Sequence, residues 1–96
     1  MRRFYLISYD IINDKRRNKV FKTLMDYGDR VQYSVFCCQL SDRELLNLRE
    51  KLRTHIHMTE DQVLFVDAGA VSNSKPMPEI QYIGRTWKPE PRVQII

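Results

Sequence analysis

The sequence predicts an α+β domain in which two helices cover one face of an antiparallel sheet. Three observations carry that expectation. Residues 4–9 are an apolar and aromatic run that precedes a helical repeat. Residues 31–40 are rich in β-branched and aromatic side chains. A capping signature at 41–44 opens a second helical repeat, and a short apolar run at 62–67 comes after it. The order is therefore strand, helix, long strand, helix, strand.

Phe4-Tyr5-Leu6-Ile7-Ser8-Tyr9 is nearly continuous in apolar and aromatic residues, as suits a central strand buried on both faces. It ends at Asp10. Asn13-Asp14 offers an N-cap and Gly28 a stop, and between them Val20, Phe21, Leu24 and Met25 recur at helical spacing. The aliphatic stem of Arg17 can extend that row. Residues 31–40 read as strand, but ten residues is long for a small sheet, so a bend or division near Tyr33-Ser34 is expected. Ser41-Asp42-Arg43-Glu44 is a capping box; Leu45, Leu48 and Leu52 then share one helical face, with Leu46 beside it. QVLFVD at 62–67 makes a further short strand, closed by Ala68-Gly69. If the long segment divides, the plan is ferredoxin-like, β-α-β-β-α-β. Residues 80–83 suggest an extra C-terminal strand, and Pro89 and Pro91 keep the segment beyond it irregular. The expected organisation is a domain over 1–78 and a C-terminal strand and tail over 79–96, packed on a partner subunit.

A chain of 96 residues is one small domain, which excludes a multidomain enzyme. So short a domain tends to be marginal alone. Phe4, Tyr5, Tyr9, Tyr33 and Phe36, from the first two strand segments, are too many aromatics for a wetted surface, so a second subunit is expected over the open sheet face. No apolar run approaches the ~20 residues of a membrane span, and the N-terminal apolar stretch is too short for a signal peptide. A cytoplasmic protein without membrane association is expected. The net charge of +4 lies in the first third: residues 1–30 carry eight cations and four anions, whereas 31–60 and 61–96 carry four of each. That asymmetry points to a polyanion, most plainly nucleic acid.

Lys15, Arg16 and Arg17 occupy the first turn of the first helix, where the macrodipole favours anions and each cation costs about 0.3–1 kcal/mol. A bound phosphate would reverse that sign; a solvated, salt-screened basic helix is the other reading. Asp10, beside Tyr9 and near the basic turn, has two equal readings. One is a Mg²⁺ ligand completed by a second Asp10 across a dimer axis, the other a turn former that accepts backbone hydrogen bonds. Cys37 and Cys38 are adjacent, unsuited to a disulfide or to one shared metal, and read as reduced, partly buried thiols. His55 and His57 lack partners at zinc-like spacing and read as solvated. No glycine-rich phosphate loop exists, and Ser8 and Ser34 lack a nucleophilic motif. Among the aromatics, Phe36 is the one read as facing nucleic acid.

Tyr9-Asp10-Ile11 ending the first strand, Arg17 early in the helix, and Arg30-Val31-Gln32-Tyr33-Ser34-Val35-Phe36 together look like a family signature. The chain resembles the Cas2 family, the small core CRISPR-associated proteins found beside the integrase subunit. R-V-Q-x-S-V-F at this distance from Y-D-I is the specific part. The resemblance implies a ferredoxin-like fold, a symmetric homodimer joined face to face through its sheets, and a C-terminal strand exchanged onto the partner. It also implies a metal-dependent endonuclease acting on RNA or DNA. In spacer acquisition, the dimer would bridge integrase (Cas1) subunits and cradle duplex DNA.

Carried over by position, Asp10 matches the metal-binding aspartate, one from each subunit, with Mg²⁺ as the cofactor. Arg17, Arg30 and Phe36 match positions of cleavage or substrate contact, and Tyr9 flanks the metal. Lys19 stands where some relatives have arginine, and Tyr33 where some have a basic residue. The expected catalytic set is Asp10, Arg17 and Arg30, and the expected substrate contacts are Tyr9, Arg16, Arg17, Lys19, Arg30 and Phe36. The expected function is a CRISPR adaptation subunit with endonuclease activity, its partners being a second copy, the integrase subunit, duplex DNA and single-stranded RNA. The alternative is a free-standing, toxin-like endoribonuclease on the same fold.

Overall fold

The computed structural model describes residues 1–75 and 77–85. Six elements succeed one another: β1 (Arg3–Asp10), α1 (Asp14–Met25), β2 (Gly28–Gln32), β3 (Val35–Leu40), α2 (Asp42–His55) and β4 (Gln62–Ala70). The strands form one four-stranded sheet in the order β2-β3-β1-β4, with every neighbouring pair antiparallel. This is the ferredoxin-like β-α-β-β-α-β plan. β1 is central, as its uninterrupted apolar run requires.

The long strand segment divides where expected, at Tyr33-Ser34, but its first half begins earlier, at Gly28. Gly28 is thus not a helix stop. α1 ends at Met25, where Asp26 and Tyr27 donate back to the carbonyls of Thr23 and Leu24. Gly28 instead lets β2 approach β3 closely. A Cβ there would lie 2.8 Å from Cys38 Cα and closer still to the Cys37 carbonyl oxygen.

Both helix starts match the sequence reading. Asn13 Oδ1 accepts from the Arg16 N–H at 3.0 Å. At α2, Ser41 Oγ accepts from Glu44 N–H at 3.2 Å and Glu44 Oε1 accepts from Ser41 N–H at 2.9 Å, closing the box.

Strand alternation assigns the two faces. Tyr5, Ile7 and Tyr9 of β1 and Phe36, Cys38 and Leu40 of β3 pack with Val20, Leu24, Leu48 and Leu52 of the helices in one buried cluster. The aromatics therefore do not share an open face. Tyr5, Tyr9 and Phe36 lie under the helices, Tyr33 sits exposed in the β2–β3 turn, and only Phe4 is on the opposite side. There Phe4 and Cys37 share a cleft of about 270 Å³ with Met77 and Pro78. The rest of that face exposes aliphatic rather than aromatic side chains, Leu64 and Val66 beside half-buried Leu6.

Neither Cys37 nor Cys38 forms a disulfide, and the two are buried on opposite faces. Burial, reinforced by Asp29, pushes the Cys37 thiol up to about 11, so it stays protonated and unreactive. The strand expected over 80–83 does not form within this chain. The remainder of the expected tail, 86–96, lies outside the described residues. No helix among the described residues is long and apolar enough to cross a membrane.

Candidate nucleic-acid interface

The β1–α1 loop turns the chain from the sheet into α1, and the β2–β3 turn comes up beside it. Between them lies a cavity of about 410 Å³. Asp14, Arg17, Asn18 and Phe21 line it from α1, at the i, i+3, i+4, i+7 positions of one helical stripe. Arg30 and Tyr33 form the facing wall, and Tyr9 reaches in from the end of β1.

Arg30 and Tyr9 both line this cavity. The Arg30 guanidinium lies over two rings, 5.2 Å from the Phe21 centroid and 5.1 Å from that of Tyr33. Its Nε–H also makes a weak bond to the Gln32 carbonyl at 3.4 Å. The residue is exposed. Tyr9 is buried, and its hydroxyl donates to the Tyr33 carbonyl at 3.4 Å. Burial raises the Tyr9 pKa, an effect that the Arg30 charge partly opposes.

The two arginines at the start of α1 are engaged rather than free. Arg16 makes a bidentate pair with Asp61, Nε to Oδ2 at 2.6 Å and Nη2 to Oδ1 at 3.0 Å. The Asp61 side chain is 1% exposed and also accepts from the His57 N–H at 2.8 Å. Arg16 holds the Asp61 carboxyl below the usual aspartate range, chiefly by that hydrogen bond. This corrects the reading of Arg16 as a phosphate contact, because its fork ties the start of α1 to the entrance of β4.

Arg17 folds back on its own loop. Its Nη1 donates to the carbonyls of Ile11 and Ile12, both at 3.0 Å, and its Nη2 pairs with Asp14. A cation at a helix start is thus neutralised by a carboxylate in the same turn, and the misplaced charge disappears. Lys19 is exposed two residues on, with no side-chain partner among the described residues.

Phe36 is corrected too. It is 0% exposed, its ring 6.4 Å from Tyr9 and edge-on to Phe21 at 5.8 Å, so it forms the floor beneath the cavity and cannot stack on a base.

Asp10 ends β1 on the open face, exposed, opposite Gln62. No hydrogen bond or ion pair engages its side chain among the described residues, so the turn-former reading has no support. No group of three metal-ligating side chains occurs among those residues. Mg²⁺ is nevertheless commonly held by one or two carboxylates together with water and substrate phosphate. A solvated, unengaged carboxylate is the kind of donor that such a shell uses.

Sequence reasoning missed Phe21, Asn18, Tyr33 and Asp61 as parts of this region. The stripe at 14, 17, 18 and 21 was readable as a helical period. The Arg16–Asp61 pair, 45 residues apart in sequence, carried no local signal.

Comparison with known proteins agrees with this geometry. A "CRISPR-associated endoribonuclease Cas2" of Geobacter sulfurreducens is 34% identical over 96 residues, covering 100% of this chain and 99% of that protein. A "CRISPR-associated endonuclease Cas2 2" of Thermus thermophilus is 38% identical over 85 residues, covering 85% and 94%. A crystal structure of a hypothetical protein from Thermus thermophilus superimposes with a TM-score of 0.76 at 33% identity, covering 94% of this chain and 100% of that one. The family model "CRISPR associated protein Cas2" matches residues 1–75, the span that holds β1 through β4 and every residue of the cavity. With Asp10 free at the end of its central strand and Arg30 poised over the cavity, this chain belongs to the Cas2 family.

Proposed function

We propose that this protein is a cytoplasmic CRISPR adaptation subunit that works as a face-to-face homodimer, bridges integrase (Cas1) subunits, binds nucleic acid, and has Mg²⁺-dependent phosphodiester endonuclease activity. The observation that carries the reading is Asp10, a carboxylate left without an internal partner at the end of a buried strand. Membership of the Cas2 family and the nuclease names of its relatives support it.

Two Asp10 side chains, one from each subunit, would hold the ion. When bound there, Mg²⁺ supplies Lewis-acid activation of water and of the phosphoryl oxygens. The chain's own residues do the rest. Exposed Arg30 presents N–H donors to a phosphate, and exposed Lys19 adds a second positive contact. Arg17, held on the Ile11 and Ile12 carbonyls, fixes the loop immediately after Asp10. It positions the carboxylate rather than clamping the phosphate. Because phosphate contacts dominate, affinity falls steeply with salt.

Asp10→Asn tests the reading on wild-type and variant preparations assayed side by side. Cleavage of single-stranded RNA and duplex DNA in Mg²⁺ is expected to fall at least about hundredfold, with nucleic-acid affinity and molecular mass unchanged. Spacer acquisition by Asp10→Ala separates the two roles: retained acquisition means that the architectural role does not use cleavage. Wild-type cleavage that persists in chelator would overturn the metal-dependent reading.

A further inference from the structure

The cavity at the start of α1 offers more than a phosphate contact. Of its charged groups, Arg17 is paired with Asp14 and has two donors on backbone carbonyls. The Asp14 side chain, 88% exposed at the rim, is the other half of that pair, so the two charges cancel. The net positive charge left is that of Arg30, and its guanidinium plane lies against Tyr33 and Phe21. Tyr33 is 68% exposed, so its ring is accessible at the mouth of the cavity. Asn18, one helical turn from Asp14, is exposed with no side-chain partner among the described residues. Its amide offers a donor and an acceptor together.

An aromatic ring, a guanidinium plane and an amide around about 410 Å³ suit a planar, uncharged group with hydrogen-bonding edges. We propose that this cavity binds one unstacked nucleobase of a single strand, its face against Tyr33 and Arg30 and its edge read by Asn18 and Asp14. The proposal rests on the nucleic-acid reading above and sharpens it. A base paired within a duplex cannot enter, so this part of the surface takes a single-stranded or frayed segment. Tyr9 closes the inner end, where its ring packs on Phe36.

The test is affinity of the full chain, without divalent cation, for labelled homopolymers of each base and for a duplex of equal length. Tyr33→Ala is expected to weaken single-strand binding by about tenfold, the scale of one lost base–aromatic stack, and to leave duplex binding unchanged. Tyr33→Phe, which keeps the ring, restores it. Asn18→Ala is expected to reorder the four homopolymers rather than weaken all of them equally. Since Tyr33 and Asn18 are exposed, circular dichroism should show both variants folded. Equal weakening of duplex and single strand by Tyr33→Ala, or no weakening of either, overturns the pocket, while salt-dependent duplex binding by the wild type leaves the broader reading intact. No wild-type binding to either strand form overturns both. Competition by free nucleoside monophosphates at strand-like affinity would assign the cavity to free nucleotides and overturn the strand form.

Discussion

A guanidinium at a helix start is ambiguous until its partner is known, and Arg16 and Arg17 resolve that ambiguity in different ways. Arg17 meets Asp14 three residues earlier, a pairing that the sequence could have shown. Arg16 meets Asp61 across the fold, and only the packing of β4 against β1 reveals it. The Asp61 pKa is lowered in the folded state, so the stability it contributes is complete above the ordinary aspartate range near pH 4. It drains as pH falls through the lowered folded value. Asp61→Asn is therefore expected to lower the urea midpoint at pH 7 and to lose that disadvantage progressively as the pH falls below the ordinary aspartate range. A gap between wild type and variant that stays constant with pH would show that the pair is not the source. Phe36 gives a second residue-scale expectation. As a core ring it should cost about 3–5 kcal/mol on replacement by Ala, read from urea unfolding, whereas Phe36→Leu should keep both fold and nucleic-acid affinity. Parity hid its role: with the division at Tyr33-Ser34 and a register shift between Arg30 and Gln32, residue type alone does not say which way Phe36 points.

At the scale of elements, most of the fold was legible because each element carried a local signal. The Ser41–Glu44 box, the Asn13 cap and the leucines of α2 are all local chemistry, and each appears where the spacing placed it. Gly28 was misread because a glycine after a helix fits two rules, a C-terminal stop and a close approach of strands. Only the second operates. Gly28→Ala should accordingly destabilise by at least about 2 kcal/mol, because the added methyl meets β3 backbone as well as the buried Cys38 Sγ. Ser41→Ala should cost about 1 kcal/mol, the usual worth of an N-cap. Urea midpoints of the two variants measured together order the effects. If Gly28→Ala proved the milder, β2 would have to sit farther from β3 than described. The grouping of the aromatics on one face failed for a related reason. Phe4 and Tyr5 are neighbours in a strand, so alternation had already sent them to opposite sides.

For the whole molecule, the open question is what the sheet does with its outer face. Aromatic content suggests a dimer, but three of those rings lie under the helices, so the case rests on different residues. On the outer face Leu6 pairs across to Val66 and Ser8 to Leu64, with Leu64 43% and Val66 48% exposed. Half-exposed aliphatics in a row are inexpensive for a monomer and useful to a pair of sheets. Asp10 lies at the end of the same face, so in the proposed dimer a sheet-to-sheet pairing that covers Leu64 and Val66 would also have to bring the two Asp10 carboxylates together. Shape and chemistry are then coupled, and one substitution tests both. Wild-type protein is expected to sediment at twice the 11.5 kDa chain mass, and Val66→Glu at the single-chain mass. Val66→Glu should retain its thermal midpoint when compared with wild type diluted to monomer, since Val66 is not a core residue. It should also lose Mg²⁺-dependent cleavage to the extent that Asp10→Asn does, although Asp10 itself is intact. A monomeric Val66→Glu that cleaves at the wild-type rate would mean that a single carboxylate suffices, and the shared-ion arrangement would have to be given up.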